Sequence, residues 1–332
     1  VPYVYDYVDK LELCSFGEYV IAVKAKVPFE KMVISGVYKD ELSMRQMFEQ
    51  AIPGKFTIES MGQWELLERL TEEYGKSIKL LLRLTSGNQF GMRKEEVLDI
   101  VKNRRNDRMQ ILGIQYFAKT QRRKLSILES ELEKLESFVR ELEEESGIEL
   151  EEFEYGPGFP VYYFEGDDFD EEEFLKGFRT ILDRVFADKK VSIELGRSVT
   201  ASCGQYLTRV VDCKESEAGR FAIVDGGINH IAYYGQTMAI KVPYHEVLPK
   251  REGDDSYIVV GSLCTINDIL VKDFRAGNLQ VGDVLLFKNA GAYCSTEGIS
   301  LFLSRDLPRV LIADKDKVIQ VRDAFPTSDL NG

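Results

Sequence analysis

The feature that most constrains the fold is an alternation, over roughly the first 200 residues, of short β-branched or aromatic runs with charge-rich helical segments. The clearest helical segment begins near Leu125 and has Gly147 as its predicted C-cap. Strand and helix in repeated order predict parallel strands, and unbroken apolar strands suit a barrel covered by helices. The predicted strands are 19–23, 32–35, 56–60, 80–84, 110–115, 152–155 and 191–195.

A closed barrel of this kind has eight strands, so seven predicted strands leave one strand–helix unit unaccounted for. The spacing from Val23 to Met32 is too short for the crossover that two parallel strands require. We therefore expect one unit to be absent after Lys26, either because it is deleted or because residues are omitted from the sequence.

From about Gln205 onward the pattern changes to short strands that Gly, Asp and Pro turns separate, with little helical periodicity. This pattern predicts an antiparallel β domain. The expected fold class is thus α/β: a (β/α)8 TIM-like barrel over residues 11–205, then an antiparallel β-barrel or sandwich built from residues 206–325 together with 1–10. The predicted strands of this domain are 206–213, 220–227, 238–244, 256–263, 281–288 and 309–315.

Composition excludes several classes of function. With 56 acidic and 43 basic residues the net charge is -13, which argues against sequence-independent binding to nucleic acid or anionic lipid. No apolar run approaches the roughly 20 residues that span a bilayer, and the N-terminus lacks a signal-peptide pattern. The 5 scattered cysteines, without a CxxC pair, and the 2 histidines predict reduced thiols in a cytoplasmic protein and no metal site.

Three features of the predicted barrel could carry chemistry. Lys24 follows the first predicted strand, and a buried amine at a strand's carboxyl end can form imines, although a solvated lysine is the commoner case. Glu194 ends the last barrel strand, where a carboxylate can keep a heterocyclic nitrogen protonated; the alternative is an ion pair with Arg197. The turn at Gly156 and Gly158 could approach a phosphate, or could be a plain turn.

The β domain adds two weaker signals. In GSLCTINDIL, Cys264 and Asp268 stand four residues apart, and in NAGAY the ring of Tyr293 follows Gly291 and Ala292. Taken alone, each pattern is more typical of core packing than of a site.

Seven short motifs together are more informative than any one of them. YVIAVKAK, GIQYFAKTQ, YGPGFP, ELGR, VDGGIN, CTIND and GAY follow one another in the order and rough spacing found in a known family. From about Val1 to Asp314 the chain resembles the fold-type III (alanine racemase-like) pyridoxal-phosphate decarboxylases, which act on diaminopimelate, ornithine, arginine and carboxynorspermidine. The resemblance implies pyridoxal 5'-phosphate as cofactor, amino-acid decarboxylation, and a head-to-tail homodimer with shared active sites.

The resemblance also implies roles for individual residues. Lys24 would carry the cofactor as an imine, Glu194 would face the pyridine nitrogen, and Cys264 would enter the neighbouring subunit's active site and donate a proton after CO2 loss. Phe117 stands where the family usually stacks a histidine on the ring, and Thr120 follows it as a further cofactor-binding candidate. The remaining candidates for phosphate, cofactor or substrate binding are Gly156, Gly158, Gly196, Arg197, Thr265, Asp268 and Tyr293.

The expected substrate follows from one departure from the family. Thr265 stands where diaminopimelate decarboxylases carry a glutamate that reads the distal amine, and YYGQTMAI lacks the aspartate of ornithine-type enzymes. An unpaired buried ammonium is costly, so we expect a substrate other than a simple free diamino acid, for example one carried on a peptide or carrier protein. Two alternatives stay open: a racemase or epimerase of the same barrel group, and an inactive relative that serves as a binding or regulatory partner.

Overall fold

The computed structural model describes residues 4–103, 106–167, 169–236 and 238–332. They form two compact units. The first unit runs to Phe159 and resumes over Asp170–Leu195, and the second comprises Pro160–Phe169 and Gly196–Gly332.

The first unit is built on a sheet of seven parallel strands that lie in chain order, with β1 and β7 at its two ends. Neighbouring strands pair in parallel, as the strand–helix alternation predicts. The five inner strands are mainly buried, whereas the two end strands are partly exposed. The strands are β1 (Leu11–Leu13), β2 (Met32–Ile34), β3 (Lys55–Ile58), β4 (Ile78–Arg83), β5 (Met109–Phe117), β6 (Glu152–Gly156) and β7 (Lys190–Ile193).

Within the described residues, six α-helices of the first unit connect or follow these strands. The longest begins at Leu125 and ends at a left-handed Gly147 with φ +66°, as the sequence predicts. Its buried face repeats at steps of three and four residues, so one side of the helix faces the core and the charged side faces solvent. The helices are α1 (Phe16–Lys24), α2 (Glu41–Glu49), α3 (Met61–Tyr74), α4 (Lys94–Asn103), α5 (Leu125–Ser146) and α6 (Glu171–Val185).

The predicted strand at 19–23 is wrong, because these residues belong to helix α1. Ser15 caps the helix: its hydroxyl accepts a hydrogen bond from the Glu18 N–H at 3.2 Å, and Glu18 Oε2 accepts one from the Cys14 N–H at 2.7 Å. Tyr19 and Ala22 are buried on one face of this helix. The Ser15 cap and the helical spacing override the β propensity of the run.

The expected absence of a strand–helix unit after Lys26 is also wrong. Strand β1 pairs directly with β2, with Leu13 opposite Ile34, and helix α1 lies in the connection between them. The spacing looked too short only because a helix was assigned as a strand. The described residues supply seven strands of the eight that a closed barrel requires.

The second unit contains a six-stranded sheet in the order β10-β13-β8-β9-β11-β12 and a separate hairpin of β14 and β15. The sheet is mixed rather than wholly antiparallel, because Ile258–Val260 of β11 pair in parallel with Phe221–Ile223 of β9. The elements are α7 (Arg197–Thr200), β8 (Tyr206–Ser216), β9 (Gly219–Val224), β10 (His245–Leu248), β11 (Asp255–Val260), β12 (Ile269–Ala276), β13 (Val284–Phe287), β14 (Val310–Asp314), β15 (Lys317–Arg322) and α8 (Ser328–Asn331).

The domain boundaries differ from the expected ones. The second unit begins at Gly196, ahead of the expected residue 206, and it also takes in Pro160–Phe169. Residues 4–10 belong to the first unit, where Lys31 Nζ donates to the Val8 carbonyl and Lys10 Nζ donates to the Glu30 carbonyl. Residues 1–3 of the expected 1–10 segment lie outside the described residues. The predicted strand at 238–244 does not form, whereas β10, β12 and β15 were not predicted.

No helix within residues 4–103, 106–167, 169–236 and 238–332 has both the length and the apolar character needed to cross a membrane.

Candidate active site

Polar side chains interrupt the apolar strands of the first unit. Gln115 lies in β5, Glu154 lies in β6 and Glu194 directly follows β7, while Glu12 is the middle residue of β1. Gln115 and Glu154 are buried. In parallel α/β sheets the site forms where the strands end at their carboxyl ends, and the last residue of this set stands there. We call Glu12, Gln115, Glu154 and Glu194 the carboxyl-end cluster.

Glu194 is held in place by its backbone and by its side chain. Its N–H donates to the Tyr155 carbonyl at 2.9 Å, and Gln115 Nε2 donates to Glu194 Oε1 at 2.7 Å. Burial, together with the negative charges of Glu12 and Glu154, raises the pKa of Glu194 well above its usual range. Burial also raises the pKa of Glu154. Lys55 Nζ lies 3.8 Å from Glu154 Oε2, and within the described residues no ion pair reaches Glu194. Neighbouring carboxyls cannot all ionise cheaply, so the raised pKa of Glu194 favours a proton within the cluster.

The Glu194 carboxyl and the Phe117 ring both lie against the backbone of Gly156. A Cβ atom added at Gly156 would lie 2.3 Å from Phe117 Cδ2 and 3.0 Å from Glu194 Oε2. Only glycine leaves room for both groups at this position. The Phe117 ring offers a flat face to a heteroaromatic ring, and the Glu194 carboxyl can share its proton with a nitrogen of that ring.

The loops that follow β5 and β6 pack backbone against backbone. Gly158 has φ +63°, and a Cβ atom there would lie 1.9 Å from the Lys119 carbonyl oxygen and 2.9 Å from Thr120 Cα. The Arg122 N–H donates to the Gly158 carbonyl at 2.9 Å. The glycine is therefore required both by its left-handed conformation and by the close approach.

Lys24 does not occupy the expected position. It is the last residue of helix α1 and its side chain is exposed, so it does not stand at the carboxyl end of a strand. Among the described residues two lysines are buried, Lys39 after β2 and Lys55 at the start of β3. Lys39 Nζ donates to the Gly36 carbonyl at 2.9 Å and to Gln63 Oε1 at 3.1 Å, and burial lowers the pKa of Lys39 to about 8.

The second unit brings Gly196, Arg197 and Tyr293 together. A Cβ atom on Gly196 would lie 2.4 Å from the Tyr293 hydroxyl, and the Arg197 guanidinium carbon lies 4.7 Å from the centroid of that ring. Arg197 is buried, and its Nη2 lies 2.7 Å from Glu297 Oε1. Glu297 was not predicted, and its sequence context contains no motif that marks it.

The segment around Cys264 is an exposed turn rather than a core strand. The side chain of Cys264 is exposed, and the Asp268 N–H donates to the Thr265 carbonyl at 3.2 Å across the turn. Asp268 is buried: its Oδ1 accepts from the Ile228 N–H at 2.9 Å and its Oδ2 accepts from the Leu263 N–H at 2.7 Å. Both carboxylate oxygens thus hold the backbone, which corrects the expectation that Asp268 contacts substrate.

The structure therefore groups the predicted residues into three sets. Phe117, Thr120, Gly156, Gly158 and Glu194 lie together in the first unit, Gly196, Arg197 and Tyr293 lie together in the second unit, and Cys264, Thr265 and Asp268 share one turn. Sequence reasoning missed the other members of the carboxyl-end cluster. The available signal was a charged or amide residue inside a buried apolar run, as in LEL, GIQYF and EFEY.

Comparison with known proteins decides the family. The family model described as pyridoxal-dependent decarboxylase, C-terminal sheet domain, matches residues 2–291. The chain belongs to the pyridoxal-dependent decarboxylases.

Relatives and solved structures agree with this decarboxylase family and with the fold. The diaminopimelate decarboxylase of Pseudomonas aeruginosa is 30% identical over 304 residues, which are 85% of this chain and 70% of that protein. The L-glutamyl-[BtrI acyl-carrier protein] decarboxylase of Niallia circulans is 28% identical over 313 residues, which are 85% of this chain and 72% of that protein. The structure of diaminopimelate decarboxylase from Methanocaldococcus jannaschii with L-lysine has a TM-score of 0.86 at 22% identity and covers 96% of this chain and 77% of that one.

The cofactor of this decarboxylase family is pyridoxal phosphate, and the first unit fits its ring. The fit rests on the aromatic ring of Phe117 and the carboxyl of Glu194, which both lie against Gly156, and on the raised pKa of Glu194. The lysine expected to attach the cofactor does not fit, because Lys24 is exposed on helix α1.

Proposed function

We propose that this protein decarboxylates an amino acid whose distal end carries no free ammonium, and that the amino acid is linked to a peptide or a carrier protein. One observation carries the proposal: Asp268, the single acid in residues 261–268, is buried and gives both carboxylate oxygens to backbone N–H groups. Thr265, which the resemblance aligns with an amine-reading glutamate, instead accepts a hydrogen bond from the Asn267 N–H at 3.3 Å. The turn therefore offers no carboxylate to a distal ammonium, and burying that ammonium unpaired would be costly.

One relative supports the same direction, although most of the relatives are named diaminopimelate decarboxylase. This relative is named for a glutamyl group carried on an acyl-carrier protein, and it is as similar to this chain as several relatives named diaminopimelate decarboxylase. An amino acid that is joined to its carrier through the side-chain carboxyl would present a neutral acyl group. A neutral acyl group needs no acidic partner.

In the proposed site the first unit holds the ring of the cofactor. Glu194, whose carboxyl Gln115 fixes, would hold a proton at the pyridine nitrogen, and Phe117 would offer its aromatic face to the ring. Gly156 and Gly158 let the backbone approach closely. Bound pyridoxal phosphate supplies the electron sink that accepts the electron pair left when the carboxylate departs as CO2.

The second unit provides polar contacts and the proton donor. Gly196, Arg197 and Tyr293 would contact a neutral oxygen of the substrate. Cys264, exposed on its turn, enters the site of a second copy in a homodimer and gives its thiol proton to the substrate carbon. Asp268 acts as a positioning residue, because it anchors the turn that presents Cys264.

The test is release of CO2 from a matched set of amino acids. Protein loaded with pyridoxal phosphate is given diaminopimelate, ornithine and lysine on one side, and glutamine and the pantetheine γ-thioester of glutamate on the other. We expect CO2 from the neutral acyl compounds, the thioester giving the faster rate. Turnover of diaminopimelate or ornithine at a comparable rate would overturn the proposal.

A second candidate, an inactive relative that serves as a binding or regulatory partner, is favoured by the exposed position of Lys24 on α1. Borohydride reduction of the loaded protein, followed by peptide mapping, separates the two. A pyridoxyl group on a lysine of this chain supports the decarboxylase. A protein that leaves no reduced adduct and releases no CO2 supports the partner.

A further inference from the structure

The guanidinium of Arg197 is enclosed on several sides within the second unit. Its Nη1 donates to the Tyr163 hydroxyl at 3.2 Å and its Nη2 donates to Glu297 Oε1 at 2.7 Å. The rings of Tyr234 and Tyr293 face it, with centroids 4.9 and 4.7 Å from its central carbon. Arg197 is only 8% exposed, so its orientation is fixed and its charge is largely removed from water.

Glu297 is the carboxylate partner of this arginine. Its side chain is 41% exposed, and its N–H donates to the Tyr293 carbonyl at 2.9 Å, so the backbone places it beside the aromatic ring. A buried guanidinium without a counter-ion is strongly destabilising, and Glu297 supplies that counter-ion from within the chain. The pair is therefore close to neutral before any ligand arrives.

A ligand carboxylate would have to compete with Glu297 for the same guanidinium. Arginine binds carboxylates best through two parallel N–H groups, and one of its two terminal nitrogens already donates to Glu297. A second carboxylate would also be repelled by the first. A neutral carbonyl oxygen meets neither obstacle, because it can accept a hydrogen bond from the arginine without displacing Glu297.

We infer that Glu297 is a specificity-determining residue, which makes Arg197 accept a neutral acyl oxygen and reject a free carboxylate. The inference rests on the proposed function and deepens it: the side-chain carboxyl of the substrate is masked as an amide or a thioester. Glu297 then excludes the unmasked dicarboxylic amino acid.

The test compares two ligands that differ in one terminal group. Binding of glutarate and of its monoamide, glutaramate, is measured by calorimetry on protein loaded with pyridoxal phosphate. We expect the wild-type protein to bind glutaramate more tightly. The substitution Glu297→Gln should tighten glutarate binding about tenfold and change glutaramate binding by less than about threefold.

Two further variants serve as controls, one that keeps the negative charge at position 297 and one that removes a carboxylate elsewhere in the unit. Glu297→Asp keeps the negative charge and should keep the preference for glutaramate. Glu246→Gln removes a carboxylate of the same unit that pairs with Lys288 instead of Arg197, and should change neither affinity.

The inference is overturned if Glu297→Gln behaves like Glu246→Gln, or if none of these proteins binds either ligand. Because the measurement requires no turnover, its failure is distinct from that of the proposed function. If Glu297→Gln binds glutarate more tightly than glutaramate, Glu297 does exclude carboxylates. If the wild-type protein nevertheless turns over diaminopimelate, the proposal of a masked substrate is wrong.

Discussion

The pKa values of two carboxyls, Glu152 and Glu194, shift in opposite directions at the two ends of the parallel sheet. At the amino end, Lys55 of β3 pairs with Glu152 of β6, and Lys190 of β7 donates to the same carboxylate at 3.0 Å. Although burial opposes it, these two lysines lower the pKa of Glu152 below its usual range. At the other end, burial and neighbouring acids raise the pKa of Glu194 well above its usual range.

This difference separates stability from function. The amino end satisfies its own charges and needs no ligand. The carboxyl-end cluster is an arrangement that costs folding free energy by itself and gains from a bound group that brings positive charge or a proton. The same division between a stabilising end and a functional end is general for barrels of parallel strands.

The largest expected effect on stability comes from removing the buried lysine at the amino end of the sheet. Lys55→Met leaves Glu152 with only an exposed lysine as partner and also removes the ammonium that lies 3.8 Å from buried Glu154. We expect a loss of about 3 kcal/mol in the free energy of unfolding. Urea unfolding of the cofactor-free protein measures it. The matched control is Lys190→Met, which removes the exposed partner and should cost less than about 1 kcal/mol. Equal losses in the two variants would show that the buried pair is not the stabilising one.

The next largest effect concerns the close backbone contact at Gly158. Gly158→Ala meets both a left-handed conformation and the Lys119 carbonyl, so we expect a loss of about 2 kcal/mol in stability and at least a tenfold loss in affinity for pyridoxal phosphate. Gly147→Ala is the control, because Gly147 has a similar φ of +66° and no atom within 4 Å of an added Cβ. It should cost about 1 kcal/mol and leave cofactor affinity unchanged. Similar results for both variants would mean that the contact at Gly158 is unimportant.

A smaller change in stability, of opposite sign, is expected from replacing Glu194 in the carboxyl-end cluster. Glu194→Gln removes the carboxylate that burial and neighbouring acids disfavour, so the cofactor-free protein should gain about 2 °C in Tm, or roughly 1 kcal/mol, at pH 8. The folded-state pKa of Glu194 is raised, so the native protein binds this proton more tightly than the unfolded chain does. Wild-type stability therefore falls as the pH rises from the usual glutamate range through the raised pKa, and the advantage of the variant should vanish at low pH. An advantage that does not depend on pH would contradict this cause.

The smallest expected effect is at Lys24, which the sequence pattern placed in the site. Lys24→Ala changes an exposed side chain at the end of α1 and should leave loading with pyridoxal phosphate and the borohydride-reduced adduct as they are in the wild type. Absorbance and peptide mapping of the reduced protein measure both. Loss of the adduct in this variant would restore Lys24 to the site.

How far the sequence predicted this molecule depends on the kind of signal each residue carries. Six of the seven predicted strands of the first unit and the long helix α5 are confirmed, because apolar runs and helical periodicity each extend over several residues. Strand β1 could not be recognised, since it has three residues with Glu12 at its centre. The run at 19–23 was predicted wrongly because its side chains favour strands, while the hydrogen bonds of Ser15 and Glu18 at the helix N-terminus favour a helix.

The site residues show the same distinction between signals that are local in the sequence and contacts that form only in the fold. Glycines at Gly156 and Gly158 and the strand-end Glu194 belong to local motifs, so the sequence exposes them. Gln115 and Glu297 become meaningful only through contacts with residues 79 and 100 positions away in the chain. Asp268 shows the reverse error: its motif suggested contact with substrate, while its two backbone hydrogen bonds give it a structural role.

The central claim, that the carboxyl-end cluster holds the cofactor ring through Glu194, is tested most directly with pyridoxamine 5'-phosphate. This compound has the ring and phosphate of the cofactor and no aldehyde, so its binding does not depend on any lysine. Calorimetry should show binding to the wild-type protein and at least a tenfold weaker affinity for Glu194→Gln, because the variant loses the charge-assisted hydrogen bond to the ring nitrogen. Equal affinities, in a variant shown to be folded by its Tm, would contradict the account.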